Sequence, residues 1–299
     1  MNTLRNRVAV ITGAGRGIGR EHALLFAAEG AKVVVNDLGG SPDGSGADAS
    51  PAEQVVEEIV AAGGEAIANH DDVASWEGSK HLVDAAIEAF GDLHVLVNNA
   101  GILRDRMLVN MTEEEWDSVI HVHLKGHFCP LRHAASYWRD RSKAGDAQQR
   151  SVVNTSSTSG LFGNAGQTNY GAAKMGIGAL TIIAAQELAR YGVRVNAIAP
   201  AALTRLTAPL LGDRAGEGVE ESGPMAPGNI SPFVAYLSTE SCPINGRVFY
   251  VAGGQVHLFQ PWAIIEKIAK DGRWTVEELE RDAAKFAETP FQLNTPSFG

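Results

Sequence analysis

Residues 8–19 read Val-Ala-Val-Ile-Thr-Gly-Ala-Gly-Arg-Gly-Ile-Gly, an apolar run that leads directly into a glycine-rich turn, and a helical pattern follows as far as Glu29. A strand, a glycine turn and a helix in this order let the backbone approach a pyrophosphate, which then lies at the positive end of the helix dipole. A glycine-rich turn alone is weak evidence, so its context decides. The residues expected to bind a dinucleotide here are Gly13, Arg16, Gly17, Ile18 and Gly19.

Beyond this stretch, short β-branched runs alternate with longer helical patterns. The predicted strands are Val8–Thr12, Lys32–Asn36, Glu65–Asn69, His94–Asn98, Ser151–Thr155, Arg194–Ala199 and Val248–Ala252. Several are apolar throughout, as is typical of parallel strands covered on both faces. Repeated β-α-β units with right-handed crossovers predict an α/β fold, a single doubly wound Rossmann domain with a seven-stranded parallel sheet and helices on both faces.

Two patterns indicate where helices begin, and the chain ends in a separate helical tail. Ser50 with Pro51 and Glu53, and Thr112 with Glu115, have the spacing of a capping box. Residues 1–257 are predicted to form the cofactor-binding domain, catalytic residues included. Residues 258–299 are predicted to be an extension packed on the same domain, with helical patterns over 262–270 and 275–286.

Composition excludes several classes of protein. With 44% hydrophobic residues, wholesale disorder is excluded, and the formal net charge of −10 disfavours nucleic-acid binding. No apolar run approaches the roughly 20 residues that span a bilayer, and the first ten residues lack the pattern of a signal peptide. Two cysteines cannot form a disulfide framework and favour a reducing, cytoplasmic location. No spacing of side chains suggests a metal site.

Asp37 ends the second predicted strand, 24 residues after Gly13. At this place a carboxylate can accept hydrogen bonds from the adenosine ribose of NAD and repels the 2′-phosphate of NADP. Arg16 favours the opposite preference, but Asp37 would touch the ribose directly, so NAD is the expected cofactor. The alternative is that Asp37 is a solvated loop carboxylate before Gly39-Gly40.

The spacing T-G-x-x-x-G-x-G resembles that of the short-chain dehydrogenase/reductase family, and further motifs over about residues 5–255 support the resemblance. These motifs are Asp72-Val73, Asn98-Asn99-Ala100-Gly101, Ser157, Tyr170-Gly171-Ala172-Ala173-Lys174, Arg194–Pro200 and Val251–Gly254. The resemblance implies that Asp72, Val73, Asn99, Ala100, Gly101, Tyr170, Lys174 and Pro200 also contact the cofactor. It further implies a homodimer or homotetramer built on helices around residues 112–139 and 170–191.

Tyr170 and Lys174 are four residues apart, so both project from one face of a helix. A free tyrosine has a pKa near 10, and a neighbouring ammonium favours the phenolate. Similarity to the family makes Tyr170 the proton-transferring group, Ser157 the residue that hydrogen-bonds the substrate oxygen, and Lys174 a further ligand of the nicotinamide ribose. The expected reaction interconverts a secondary alcohol and a ketone.

Two positions depart from the family's pattern. His123 replaces the asparagine that usually helps to position a proton-relay water, and it either takes over that catalytic role or occupies a hydrogen-bonded niche. Pro200 is followed by Ala201, where the family commonly has glycine.

A narrower resemblance concerns the substrate. The segments at 36–40, 101–106, 122–126 and 154–157, an insertion at 41–49 and the helical tail are similar to the (3R)-hydroxyacyl-CoA dehydrogenase part of peroxisomal multifunctional enzyme type 2. This implies a fatty or steroid side-chain thioester as substrate. Residues 203–229, rich in Gly, Pro and Ala, are either a lid over an apolar substrate or merely a poorly ordered connection. Arg104, Arg106 and Lys125 are either CoA-binding cations or ordinary surface charges. Alternatives are a hydroxysteroid dehydrogenase, a 3-oxoacyl-[acyl-carrier-protein] reductase and a non-catalytic NAD-binding sensor.

Overall fold

The alternating apolar runs form one sheet in the computed structural model, which describes residues 2–46, 48–204, 223–260 and 262–289. Its strands are β1 (Val8–Thr12), β2 (Lys32–Asn36), β3 (Glu65–Asn69), β4 (Val95–Asn98), β5 (Arg150–Thr155), β6 (Val193–Pro200), β7 (Val248–Ala252) and β8 (Gln255–Leu258). The order across the sheet is β3-β2-β1-β4-β5-β6-β7-β8. All neighbouring pairs are parallel except β7 and β8, which are antiparallel.

The predicted number of seven strands was therefore one too few. All four residues of β8 are exposed, and two of them, Gln255 and His257, are polar. The strand therefore lacks the continuous apolar run by which most of the other strands were predicted. It forms by returning along β7 after the Gly253-Gly254 turn, where the last strand was predicted to end.

Nine α-helices are described. They are α1 (Gly17–Ala28), α2 (Ser50–Ala61), α3 (Trp76–Phe90), α4 (Glu113–Ile120), α5 (Gly126–Lys143), α6 (Thr158–Leu161), α7 (Thr168–Leu188), α8 (Ser231–Ser238) and α9 (Val276–Asp282). Residues of α1, α2 and α8 belong to one apolar core, and residues of α3, α5 and α7 belong to a second. The sheet thus lies between two helical layers, as the predicted doubly wound fold requires.

The two predicted capping boxes had different outcomes. Thr112 caps α4, since its hydroxyl accepts from the Glu115 amide and the Glu115 carboxylate accepts from the Thr112 amide. Ser50 does not cap α2, because the helix already begins there. The Asp48 carboxylate accepts from both the amide and the hydroxyl of Ser50, which removes the serine from a capping role.

The cleft of the fold opens beside β1. This strand pairs with β2 on one side and with β4 on the other, so the chain reverses its direction of travel across the sheet at β1. At such a switch point the connections that follow the two neighbouring strands separate, and a crevice forms beyond their carboxyl ends.

The chain divides into two compact units, residues 1–258 and 259–299, and the second is described here by itself. Its helix α9 begins with a capping box formed by Thr275 and Glu278. The segment 262–270 is not helical, contrary to the prediction. Its large apolar side chains, Trp262, Ile264 and Ile265, are 71–92% exposed, and a helix without a buried face lacks the packing that stabilises it. That the tail packs on the first unit stays a prediction.

Most of the predicted lid over 203–229 falls on residues 205–222, which lie outside the described residues.

No helix in the described part of the chain is long and apolar enough to cross a membrane.

Candidate active site

The turn after β1 is built in a way that only glycine allows. Gly13 and Gly17 have φ angles of +62° and +55°, which lie in the left-handed region that other residues rarely adopt. A side chain at Gly19 would overlap the carbonyl oxygen of Gly13. The turn therefore requires glycine at these positions, and all three glycines line the cleft.

Helix α1 starts at Gly17 without a competing anion. Arg16 precedes it and makes no side-chain capping bond, and the first turn contains no acidic residue. The first amides of a helix need acceptors from outside the helix. A pyrophosphate supplies such acceptors, so this end of α1 fits a dinucleotide.

Thr12 joins the turn to the end of β4. Its hydroxyl oxygen accepts from the amides of Asn99 and Ala100 at 2.9 and 3.1 Å, and the Asn99 side chain donates to the carbonyl of Gly13 at 3.1 Å. Thr12 was not among the predicted site residues, although it stands next to the glycine motif. Its role depends on a strand more than 80 residues away, which the local pattern does not reveal.

Asp37 is fixed by the backbone at the end of β2. One carboxylate oxygen accepts from the Gly15 amide at 2.8 Å, and the other accepts from the Gly39 amide at 2.7 Å. The carboxylate is therefore not a freely solvated loop group, and its remaining lone pairs stay available at the wall of the cleft. Arg16, the residue expected to favour a 2′-phosphate, lies 3.9 Å from the carboxylate of Asp48.

One cleft brings together all the predicted cofactor-binding residues and three of the four predicted catalytic residues. It is lined by Gly13, Arg16, Gly17, Ile18, Gly19, Asp37, Asp72, Val73, Asn99, Ala100, Gly101, His123, Tyr170, Lys174 and Pro200, together with residues that the sequence did not single out, such as Leu38, Ile102 and Thr155. The fourth catalytic residue, Ser157, does not line this cleft, but it is near enough to Tyr170 to lower the pKa of its hydroxyl.

Lys174 and Tyr170 project from the first turns of α7. The Lys174 ammonium nitrogen donates to the carbonyl oxygen of Thr155 at 2.6 Å and lies 5.4 Å from the centre of the Tyr170 ring. Ser157 precedes α6, where its hydroxyl oxygen accepts from the Ser159 amide at 3.2 Å. The ends of β5 and α7 thus hold the serine, tyrosine and lysine as one group.

Burial dominates the acid–base properties of this group. Desolvation raises the pKa of Tyr170 to about 12, although the neighbouring Ser157 side chain acts in the opposite direction. Desolvation also lowers the pKa of Lys174 to about 7. The pKa of Tyr170 is therefore raised, not lowered as expected beside Lys174, and a tyrosine base here needs further positive charge.

His123 lies in a π-helical turn, His121–Lys125, between α4 and α5. Its Nε2 is 2.7 Å from the carbonyl oxygen of Ile102, and its ring meets the Tyr170 ring edge-on at 5.1 Å. Burial, and then the charge of Lys174, hold the pKa of His123 well below its ordinary value, so the ring is neutral at pH 7. A side chain at Gly101 would overlap this ring, so the histidine and the glycine depend on each other.

Two of the cations expected to bind CoA have partners within the chain. Arg104 donates to the carbonyl of Asp43 and pairs with Glu114 at 3.3 Å, and Arg106 pairs with Glu115 at 3.0 Å.

Within the ranges that the structure describes, no group of three or more His, Cys, Asp and Glu side chains is arranged to hold a metal ion.

Comparison of the sequence with protein families shows to which family this chain belongs. The sequence model of the short chain dehydrogenase family matches residues 7–211. The chain belongs to this family. Its match spans the glycine turn, the end of β4 and the Tyr170–Lys174 pair, and the resemblance drawn from those motifs is confirmed. A short chain dehydrogenase acts on CH–OH groups with NAD or NADP.

Relatives of this short chain dehydrogenase are similar over most of its length. Hydroxyacyl-CoA dehydrogenase ChsB1 of Mycobacterium tuberculosis is 45% identical over 286 residues, which cover 92% of this chain and 87% of that protein. Peroxisomal multifunctional enzyme type 2 of Drosophila melanogaster is 44% identical, and the match covers 92% of this chain but 44% of that enzyme. The crystal structure of a short chain dehydrogenase from Mycobacterium avium superposes with a TM-score of 0.85 at 49% identity, covering 97% of each chain.

Proposed function

We propose that this chain is an NAD-dependent dehydrogenase that interconverts the 3-hydroxyacyl and 3-oxoacyl forms of a fatty or steroid side-chain CoA thioester. The observation that carries the proposal is the convergence of three side chains next to the glycine-rich cleft: Lys174 lies 5.4 Å from the centre of the Tyr170 ring, and Ser157 is near enough to lower the pKa of Tyr170. This group can hold a hydroxyl oxygen and move its proton. Its position at a dinucleotide-type turn favours redox chemistry over hydrolysis.

In the oxidative direction the Tyr170 phenolate takes the proton of the substrate hydroxyl, and Ser157 hydrogen-bonds the same oxygen. Bound NAD would be held by the glycine turn after β1 and by Asp37, and it would supply the hydride acceptor and a positive charge. Lys174, anchored on the carbonyl of Thr155, adds charge whenever it is protonated. In the reductive direction the Tyr170 hydroxyl returns the proton to the oxygen.

The two hydrogen bonds that fix Asp37 support NAD over NADP. They hold a carboxylate against the Gly15 amide at the wall of the cleft, where it can accept from a ribose 2′-hydroxyl. A 2′-phosphate at the same place would bring two anions together. Arg16 is the residue expected to attract that phosphate, but it lies 3.9 Å from the Asp48 carboxylate, which reduces its attraction for a further anion.

For His123 the geometry supports a positioning role. Its bond to the carbonyl of Ile102 holds the loop after β4, and its lowered pKa disfavours proton donation at neutral pH. The ring would act by fixing Gly101 and Ile102 against the cofactor and the substrate.

The thioester part of the proposal rests on the relative named as a hydroxyacyl-CoA dehydrogenase, which is matched over 87% of its length. Because Arg104 and Arg106 are already paired with carboxylates, we do not assign the CoA phosphates to them.

The exposed apolar side chains of Phe128 on α5 and Ile183 on α7, 44% and 53% exposed, support the expected homodimer or homotetramer.

The test is a steady-state survey with purified protein, using (3R)-3-hydroxyacyl-CoAs of increasing acyl length, hydroxysteroids and 3-oxoacyl carrier-protein thioesters, each with both cofactors. We expect turnover of the CoA thioesters and a higher kcat/KM for NAD than for NADP. Turnover of hydroxysteroids alone would refute the thioester assignment. A tenfold preference for NADPH over NADH in the reductive direction would refute the cofactor assignment.

A further inference from the structure

Asn169, the residue before Tyr170, is completely buried in the first turn of α7. Its side-chain oxygen accepts from the amide of Tyr170 at 2.7 Å. Its side-chain nitrogen donates to two carbonyl oxygens, those of Arg104 and Glu115, both at 2.9 Å. One side chain therefore joins three segments of the chain: the start of α7, the loop after β4 and helix α4.

The loop that Asn169 holds is the one that borders the cleft. Ile102 and Leu103 line the cleft, and Arg104, whose carbonyl accepts from Asn169, follows them directly. Two more bonds join this loop to the segment in front of Tyr170. The Arg106 amide donates to the Gly166 carbonyl at 2.8 Å, and the Gln167 side chain donates to the Asp105 carboxylate at 2.7 Å.

The bond to the Tyr170 amide satisfies a group that the helix cannot satisfy. The first amides of an α-helix have no acceptor within it, and Gln167, which precedes α7, makes no side-chain capping bond. Without Asn169, the partly buried Tyr170 amide and Arg104 carbonyl would each lose this partner, at a cost of up to about 1–3 kcal/mol for each group left unsatisfied. The local backbone would shift to recover those hydrogen bonds.

We propose that Asn169 is the positioning residue that sets Tyr170 in register with the loop after β4, residues 102–106. This inference rests on the proposed role of Tyr170 in proton transfer. Asn169 does not line the cleft, so it acts through Tyr170 and through residues 102–104. Misplacement of a reacting group by about 1 Å can lower the rate on the order of a hundredfold, which sets the scale of the expected effect.

The test compares Asn169→Ala and Asn169→Asp with a matched control, Asn196→Ala. Asn196 is also completely buried, and it also joins backbone groups, donating to the Ile244 carbonyl and accepting from the Arg247 amide. It lies on β6 and does not line the cleft. Asn169→Asp keeps the shape and the acceptor for Tyr170 but replaces the donor to the two carbonyls.

We expect both Asn169 variants to lose about 10–100-fold in kcat while the Kd for NADH stays within about twofold of wild type. Asn196→Ala should lower stability and leave kcat nearly unchanged. A kcat within about twofold of wild type in both Asn169 variants, or an equal loss of kcat in Asn196→Ala, would overturn the inference. Each kcat is normalised to the folded fraction measured by NADH titration.

A second readout needs no substrate. Hydrogen exchange of peptides covering 102–107 and 164–172 should accelerate in both segments together in Asn169→Ala but not in Asn196→Ala. Unchanged exchange in either segment would overturn the proposed role of Asn169, whether or not the substrate assignment is correct. Conversely, a wild-type protein that turns over no alcohol would count against the proposed function, while faster exchange in both segments together would still support the proposed role of Asn169.

Discussion

Replacing Lys174 with methionine is expected to stabilise the protein at neutral pH and to abolish its activity. Lys174 is 2% exposed, and desolvation lowers its pKa from 10.5 to about 7. Below the folded-state value of about 7, the folded protein must hold a buried charge that the unfolded chain holds in water. Methionine has a similar length and removes that charge.

The sign and size of the effect follow from proton linkage. Between the folded-state pKa of about 7 and the ordinary value of 10.5, the unfolded chain binds more protons at this lysine than the folded protein, so the wild type gains stability as the pH rises. From about pH 7 to about pH 9.5 the gain is at most ~3.4 kcal/mol, at about 1.4 kcal/mol per pH unit. Loss of the hydrogen bond to Thr155 offsets part of the advantage of methionine, by about 1 kcal/mol.

The assay is urea unfolding of wild type and Lys174→Met at several values between about pH 6.5 and about pH 9.5. The variant should be more stable by about 1–3 kcal/mol at the acid end, and its advantage should vanish towards the alkaline end. Titrating groups that do not feel Lys174 cancel in the difference, and the two that do, His123 and His127, have pKa values held well below the ordinary value first of all by burial. Lys80→Met, which removes an ammonium 58% exposed, serves as the control and should give a flat difference. A difference for Lys174→Met that does not change with pH would refute the reasoning.

Three further predictions concern individual contacts. Asp37→Ala should raise the Kd for NADH more than the Kd for NADPH in fluorescence titrations, because the carboxylate that faces the ribose is lost; equal changes for both cofactors would contradict its assigned role. Gly101→Ala should cost about 1–3 kcal/mol in urea unfolding because the added carbon overlaps the His123 ring. That cost should shrink in a His123→Ala background, and strictly additive effects would show that the two residues do not interact. Arg150→Met should cost about 1–3 kcal/mol by thermal unfolding, since Asp146 loses its buried partner 2.8 Å away and keeps the more exposed Arg141; an unchanged Tm would exclude that pair as a source of stability.

The parts of the site that depend on local sequence could be predicted. The glycine turn, Asp37 at the end of β2 and the Tyr170–Lys174 spacing each lie within a few residues of the element that positions them. Backbone conformation and helical periodicity act over the same short range, so the sequence pattern is sufficient.

The parts that depend on distant segments could not be predicted. The two carbonyls that Asn169 bonds belong to residues 54 and 65 positions earlier in the chain, and β8 is defined by its pairing with β7 and not by an apolar run. The pKa values of Tyr170 and Lys174 were likewise inaccessible, because desolvation, their largest cause, exists only after the chain has packed. Spacing alone therefore indicated which groups meet but not which effect dominates.

The central claim is that Tyr170 transfers the proton of the substrate hydroxyl, and its most direct test is the kcat of Tyr170→Phe with a (3R)-3-hydroxyacyl-CoA and NAD. Phenylalanine keeps the ring beside His123 and Lys174 and removes only the hydroxyl. The account predicts a loss on the order of a thousandfold in kcat, with the Kd for NADH unchanged. A kcat within about tenfold of wild type would contradict the account.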